Sequence, residues 1–332
     1  MTATTADAPA EPTPAVGTAP RSGRRGTTTP GRVVRLVVFY LVLLAILAIF
    51  ITPYLFSLNA SFKPLASILA DKAWVPATSL NLDNYRSLFA DHQFLTFLGN
   101  TVLITVILTI GQVIFSMMGA YAFARLRFPG REALFWLYLA MMMVPNVVTM
   151  IPLYVMMQYA HLLNTYWALF LPYVLGTPYA VFLMRQFFLT IPQSIIEAAR
   201  LDGCSERRIL WSVLVPLARP IITTATIIAF VFGWNNFLWP LIVTNSNNLQ
   251  VMTVALANFN SSFGTQWNLI LAGSMVALIP LVILFVIFQK QVIILATCLT
   301  LSSRRPQRST VASARAPRHP SALKPKRQTV AA

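Results

Sequence analysis

The chain has 332 residues, of which 57% are hydrophobic and only 10% charged, and its mean hydropathy is +0.67; an ordinary soluble domain carries about 25% charged residues. That composition excludes a soluble globular protein and points to an integral membrane protein. Lys and Arg number 25 against 9 Asp and Glu, a formal charge of +16, but they stand in tails and connections between apolar runs, so orientation in a membrane accounts for them rather than nucleic acid.

Residues 1–32 are built from Thr, Ala, Pro, Gly and Arg without a core-forming pattern and are expected to be a disordered cytoplasmic tail. A bilayer core about 30 Å thick takes roughly 20 apolar helical residues to cross. Six stretches are that long, near 33–56, 95–124, 133–157, 163–186, 219–243 and 268–289. The first is too long for a signal-peptide core and no A-x-A site closely follows it, so it is expected to remain as a transmembrane helix. In the second, Ser116, Ala120 and Ala124 recur every four residues, a spacing that lets helix backbones approach closely, either within the subunit or between subunits. Pro145, Pro152, Pro172, Pro178 and Pro280 predict bends, which membranes tolerate where neighbours satisfy the freed carbonyls. The charge-free tract Pro220 to Gln289 is 70 residues long, and its polar middle, Thr244 to Trp267, divides it into two spans. The result is an all-α, polytopic protein with a six-helix transmembrane domain over 33–290. Residues 291–332 follow as a basic tail.

Cytoplasmic segments keep an excess of Lys and Arg. The N-terminal segment to Arg35, the loop holding Arg125, Arg127 and Arg131, the stretch Arg185 to Arg219, and the chain from Lys290 onward together carry 22 of the 25 basic residues. Six spans with both termini in the cytoplasm place all of these on one side. The spans hold no Asp, Glu or Lys, and no Arg away from their inner ends, which disfavours an ion-coupled secondary transporter of charged solutes. His92, His161 and His319 fall in loops or a tail, so no base stands near a buried nucleophile. Cys204 and Cys298 are too far apart in sequence to form a metal or disulfide framework. With no G-x-x-x-x-G-K-[ST] loop, no cofactor is expected here, and ATP would have to be bound by another polypeptide.

The fourth connection, within 187–220, carries the strongest signal. Ser194 and Glu197 stand at capping-box spacing, which predicts a helix starting at Ser194. Gly203 can end that helix in the left-handed conformation, and Ser205 with Glu206 can start another. A helix, a sharp turn and a second helix are therefore expected on the cytoplasmic face, with Asp202 just ahead of the turn.

This stretch resembles the signature loop of ATP-binding-cassette importer permeases: E-A-A, three residues, G, nine residues, then I-x-L-P. Glu197, Ala198, Ala199, Gly203 and Pro216 match at those spacings, and Val213 and Val215 replace the usual Ile and Leu. Further along the chain, Ser61-Phe62-Lys63-Pro64, Asn84-Tyr85, Arg127-Phe128-Pro129-Gly130 and Gly233-Trp234-Asn235-Asn236-Phe237-Leu238-Trp239-Pro240 resemble the shorter membrane subunit of maltose-type and glycerol-phosphate-type carbohydrate importers. The chain departs from that pattern after Lys290. The resemblance implies a non-enzymatic permease subunit in a bacterial or archaeal plasma membrane, working with a second permease subunit, two ATPase subunits and an extracytoplasmic binding protein. It assigns ATPase coupling to Ser194–Gly203 and a sugar or sugar derivative as solute. A peptide or anion importer, and a membrane scaffold with a basic tail, are the alternatives.

Trp234, Asn235 and Asn236 place an aromatic face and two amides in the fifth span. Such groups could stack on a sugar ring and bond its hydroxyls, or could equally bond neighbouring helices.

Overall fold

The computed structural model describes residues 30–303 except 73, 78–79, 91–92 and 262–263. Most of both expected tails, residues 1–29 and 304–332, lies outside the described residues, as does His92. The chain divides into two compact units, residues 1–55 and 56–332. The described part of the first belongs to helix α1 (Pro30–Ser61). Its side chains are apolar all round from Leu36 to Ile51, as a span in lipid requires, and Thr52 satisfies its own hydroxyl by donating to the Ala48 carbonyl at 2.7 Å.

The second unit is built around helix α3 (Phe94–Arg125), which follows the short α2 (Asp83–Ala90). No proline interrupts α3, and it packs against α7 (Pro178–Thr190) and α10 (Arg219–Trp234). Ser116 and Ala120 are fully buried and Ala124 nearly so, so the small-residue repeat serves packing inside this subunit. The Ser116 hydroxyl accepts from the Thr177 backbone N–H at 3.2 Å. Near the N-terminal end of α3, two of the short sequence matches come together: Asn84 donates to the carbonyls of Ser61 and Lys63 at 2.7 and 2.8 Å, and the Tyr85 hydroxyl meets that of Ser61 at 2.8 Å.

Three helical segments among the described residues are long and apolar enough to cross a bilayer: Val34–Ser61, Phe94–Arg125 and Trp267–Gln289. The other three expected spans are not single helices. The stretch near 133–157 is α4 (Arg131–Ala140), a turn of 3-10 helix, and α5 (Asn146–Tyr159), bent by 101° where Pro145 removes an N–H. The stretch near 163–186 is α6 (Tyr166–Phe170) and α7, separated by turns over 171–177. Pro172 and Pro178 cannot donate to a ladder there, and Gly176 takes a φ of +99°. The stretch near 219–243 is α10 and α11 (Leu238–Val243), interrupted at Asn235–Phe237. After α12 (Met252–Asn258), a minimal antiparallel ribbon pairs Asn260 with Thr265 and Ser261 with Gly264. The final helix, α13 (Trp267–Ser303), continues through Pro280 without a break and runs on past Gln289, where the last span is expected to end.

Candidate functional site

Helix α8 (Gln193–Leu201) begins two residues earlier than the capping-box spacing predicts, with Pro192 rather than Ser194 at the N-cap position. Pro192, fixed at φ −56°, is its N-terminal flank, and no side chain caps it. Ser194 therefore sits inside the first turn, where it cannot cap the helix with Glu197. The C-terminal expectation holds: Gly203 has φ +76°, its N–H donates to the Arg200 carbonyl at 3.0 Å, and the Cys204 N–H donates to the Ala199 carbonyl at 3.0 Å. That pair of bonds is a complete Schellman motif closing after Asp202. Ser205 then caps α9 (Glu206–Leu217), accepting from the Arg208 N–H at 3.4 Å. Helix α9 contains a π-helical stretch, Ile209–Leu214, carries Pro216 in its last turn, and meets α10 at 87°.

The faces of α8 separate the two signature alanines. Ile196 and Ala199 are buried in the cluster that also holds Tyr121, Phe188 and Ile209. Ser194, Glu197, Ala198 and Asp202 are exposed, and Leu201 is 90% exposed. The outward face of α8 thus presents Leu201 beside the small Ala198, with the carboxylates of Glu197 and Asp202 next to them. Both ends of the helix are tied down. Arg125 donates to the carbonyls of Phe188 and Ile191 and, at 2.7 Å, to the Gln193 side chain. At the other end the Glu206 carboxylate accepts from Arg200 at 2.9 Å and from the Tyr121 hydroxyl. The Arg200 guanidinium first, and the Tyr121 hydroxyl second, hold the Glu206 carboxyl below the usual carboxylate range. The link is thus fully charged at neutral pH and is lost only as pH falls through that lowered value.

The fifth-span residues divide. Trp234 is 2% exposed, stacks on Phe230 at 5.7 Å between ring centres, and donates to the Ala277 carbonyl at 3.1 Å. Its ring is closed within helix packing and has no free face for a sugar, which corrects the expectation for that residue. The Asn235 amide is exposed and donates to the Val231 carbonyl at 2.9 Å, while Asn236 is half-buried and its backbone carbonyl accepts from Thr253 at 2.8 Å.

A cavity of about 430 Å³ lies where the two broken helices face α10. Met141, Pro145 and Asn146 line it from the α4–α5 break, and Tyr173, Thr177 and Tyr179 from the α6–α7 break. The Gln112 amide of α3 also lines it, with its N–H held by the Tyr173 carbonyl at 3.0 Å. The lining contains no Asp, Glu, Lys or Arg. Of the lining residues the sequence singles out Pro145 and Pro178, as bends, and misses the rest, because lone amides and tyrosines in apolar runs have no motif. The cavity is separate from Asn235 and Asn236, which do not line it.

Residues 112–293 match the family described as binding-protein-dependent transport system inner membrane component. The chain is 36% identical over 251 residues to the arabinooligosaccharides transport system permease protein AraQ of Halalkalibacterium halodurans, covering 74% of this chain and 88% of that relative. It is 35% identical to the trehalose transport system permease protein SugB of Mycobacterium tuberculosis, over 73% of this chain and 88% of the relative. It is 34% identical to the sn-glycerol-3-phosphate transport system permease protein UgpE of Yersinia enterocolitica, over 58% of this chain and 68% of the relative. A solved bacterial ABC transporter involved in the import of the acidic polysaccharide alginate contains a chain of the same fold, with a TM-score of 0.70, 24% identity, and 79% and 98% of the two chains covered.

Proposed function

The chain belongs to the family of binding-protein-dependent transport system inner membrane components, and on that premise we propose that it forms half of a translocation path for a neutral saccharide, with α8 docking an ATPase. It is a permease component and not an enzyme, and such permeases work with an ATPase and a solute-binding protein. In this proposal the partner across the path is a different permease subunit, and two ATPase subunits serve the pair. The permease domain spans 33–290, with the coupling loop at 187–220 and a basic tail after it.

The observation that carries the saccharide assignment is the uncharged cavity. Its volume of about 430 Å³ lies in the range of small-molecule pockets, about 300–1,000 Å³. Amides at Gln112 and Asn146 and hydroxyls at Tyr173, Thr177 and Tyr179 can exchange hydrogen bonds with sugar hydroxyls, and the aromatic rings can cover a sugar face. The names of AraQ and SugB, which specify arabinooligosaccharides and trehalose, support the same class. A phosphorylated solute is the second reading, favoured by the N-termini of α5 and α7 at the cavity edge, whose positive dipole ends attract anions. Uptake by the reconstituted complex separates these. Gln112→Leu and Asn146→Leu are each expected to raise the half-saturating concentration of an imported neutral oligosaccharide at least fivefold, with the complex still assembled. Glycerol phosphate is expected not to compete. Unchanged uptake kinetics in both variants would remove the cavity from the path, and efficient competition by glycerol phosphate would favour the second reading.

Both termini are proposed to be cytoplasmic, from the charge distribution. Cys204 follows the Asp202–Gly203 turn that ends α8 and is half-buried. A membrane-impermeant thiol reagent is expected to label Cys204 in inside-out vesicles and not in intact cells, in a chain with Cys298→Ser. Labelling from outside intact cells would reverse the orientation and remove α8 from the reach of an ATPase.

A further inference from the structure

We infer that Tyr121 and Arg125 are positioning residues that clamp the two ends of α8 to one turn of α3, making α3 the lever that carries movement of α8 to the cavity. The inference rests on the coupling role proposed for α8 and adds the route by which displacement leaves it. Residues 121 and 125 are one turn apart, on the same side of α3. Arg125 grips the entry to α8, through the carbonyls of Phe188 and Ile191 and the side chain of Gln193. Tyr121 grips the exit, through Glu206, whose other oxygen holds Arg200 on the last turn of α8. Between these ties, Ile196 and Ala199 pack into the cluster that contains Tyr121 and Ala124.

A helix fixed to its neighbour at both ends and along its buried face cannot tilt without carrying that neighbour. A single anchor would let it pivot. Along the uninterrupted α3, Gln112 lies nine residues from Tyr121, about 14 Å at the α-helical rise, and lines the cavity. Helix α7 also runs unbroken from the cavity lining at Pro178 and Tyr179 toward α8, but it reaches only the entry of α8, whereas α3 holds both ends.

The test uses the full complex in proteoliposomes, with spin labels in a Cys298→Ser chain. One sample carries labels at the native Cys204 and at Ile279→Cys of α13, and reports α8. Another, also carrying Cys204→Ser, has labels at Phe115→Cys of α3 and at Ile279→Cys. ATP with vanadate is expected to shift both distances in the otherwise unaltered complex. In Tyr121→Phe, which removes one hydroxyl and keeps the ring, the ATPase should co-purify within twofold of normal and the α8 distance should still shift. The α3 shift should fall to less than half. Glu206→Ala, at an exposed side chain, cuts the same link from the other side and should reproduce this even if Tyr121→Phe assembles poorly. The double variant should be no worse than either alone. Full α3 shifts in both single variants overturn the clamp, as does an α3 distance that never responds while α8 moves. An α8 distance that does not respond in the unaltered complex refutes instead the coupling role of α8.

Discussion

Gly203→Val is expected to cut solute uptake at least tenfold and to reduce co-purification of the ATPase by a similar factor, while the chain still reaches the membrane with its normal topology. Gly203 holds φ +76° with no atom within 4 Å of where a Cβ would stand. The penalty is therefore conformational and not a clash: about 1–2 kcal/mol for a left-handed residue with a side chain, and more for a β-branched one. The chain can relieve it by abandoning the Schellman turn, which frees the carbonyls of Ala199 and Arg200 and moves Arg200 away from Glu206. Helix α8 is then released at the end where Leu201 faces outward. The apolar spans do not depend on this turn, so insertion should be unaffected. Immunoblots of membranes, ATPase pull-down and uptake in the same cells measure the three quantities, and normal pull-down with normal uptake would refute the role given to the turn.

Ala198→Trp and Ala199→Trp are expected to fail in different ways, although the residues are adjacent and both belong to the signature. Ala198 is exposed, so a tryptophan there leaves the permease folded and blocks only a close-fitting partner. ATPase association should fall more than tenfold with unchanged permease yield. Ala199 is 8% exposed and packs in the inner cluster with Phe188, Ile196 and Ile209. An indole there overfills a close-packed site, for which smaller insertions already cost about 1–3 kcal/mol, and the amount of folded permease in detergent should drop severalfold. Fluorescence-detected size exclusion of the permease, followed by ATPase pull-down, separates the two defects. Equal yields and equal association for both variants would show that the faces of α8 are misassigned.

Those two alanines also mark the boundary of what the sequence discloses. The turn at Gly203 and the start at Ser205 are local events, fixed by backbone conformations that only certain residues favour, and both are legible. The start of α8 is misread by two residues because Pro192 opens the helix by its fixed φ, so the hydroxyl of Ser194 is not needed there. Which alanine faces inward depends on the rotation of α8 against α3, set by Tyr121 and Arg125 about 70 residues earlier in the chain. The cavity is hidden for the same reason. Gln112, Asn146 and Thr177 become neighbours only because two expected spans unwind at different depths in the sequence. Composition tests for spans reward unbroken apolar length and cannot see such breaks. Trp234 shows the converse: its aromatic and amide surroundings suggest a sugar platform, but an indole N–H near a helix break is satisfied by the Ala277 carbonyl.

Cross-linking from α8 to the ATPase in the assembled complex tests the central claim most directly. With native Cys204 and Cys298 replaced by serine, a short photoactivatable thiol reagent is attached at Ala198→Cys or, as the inward-facing control, at Ile196→Cys, which is fully buried. A permease coupled through α8 predicts a cross-linked product with the ATPase from position 198 and little or none from position 196. No product from position 198, in a complex that still imports solute, would contradict it.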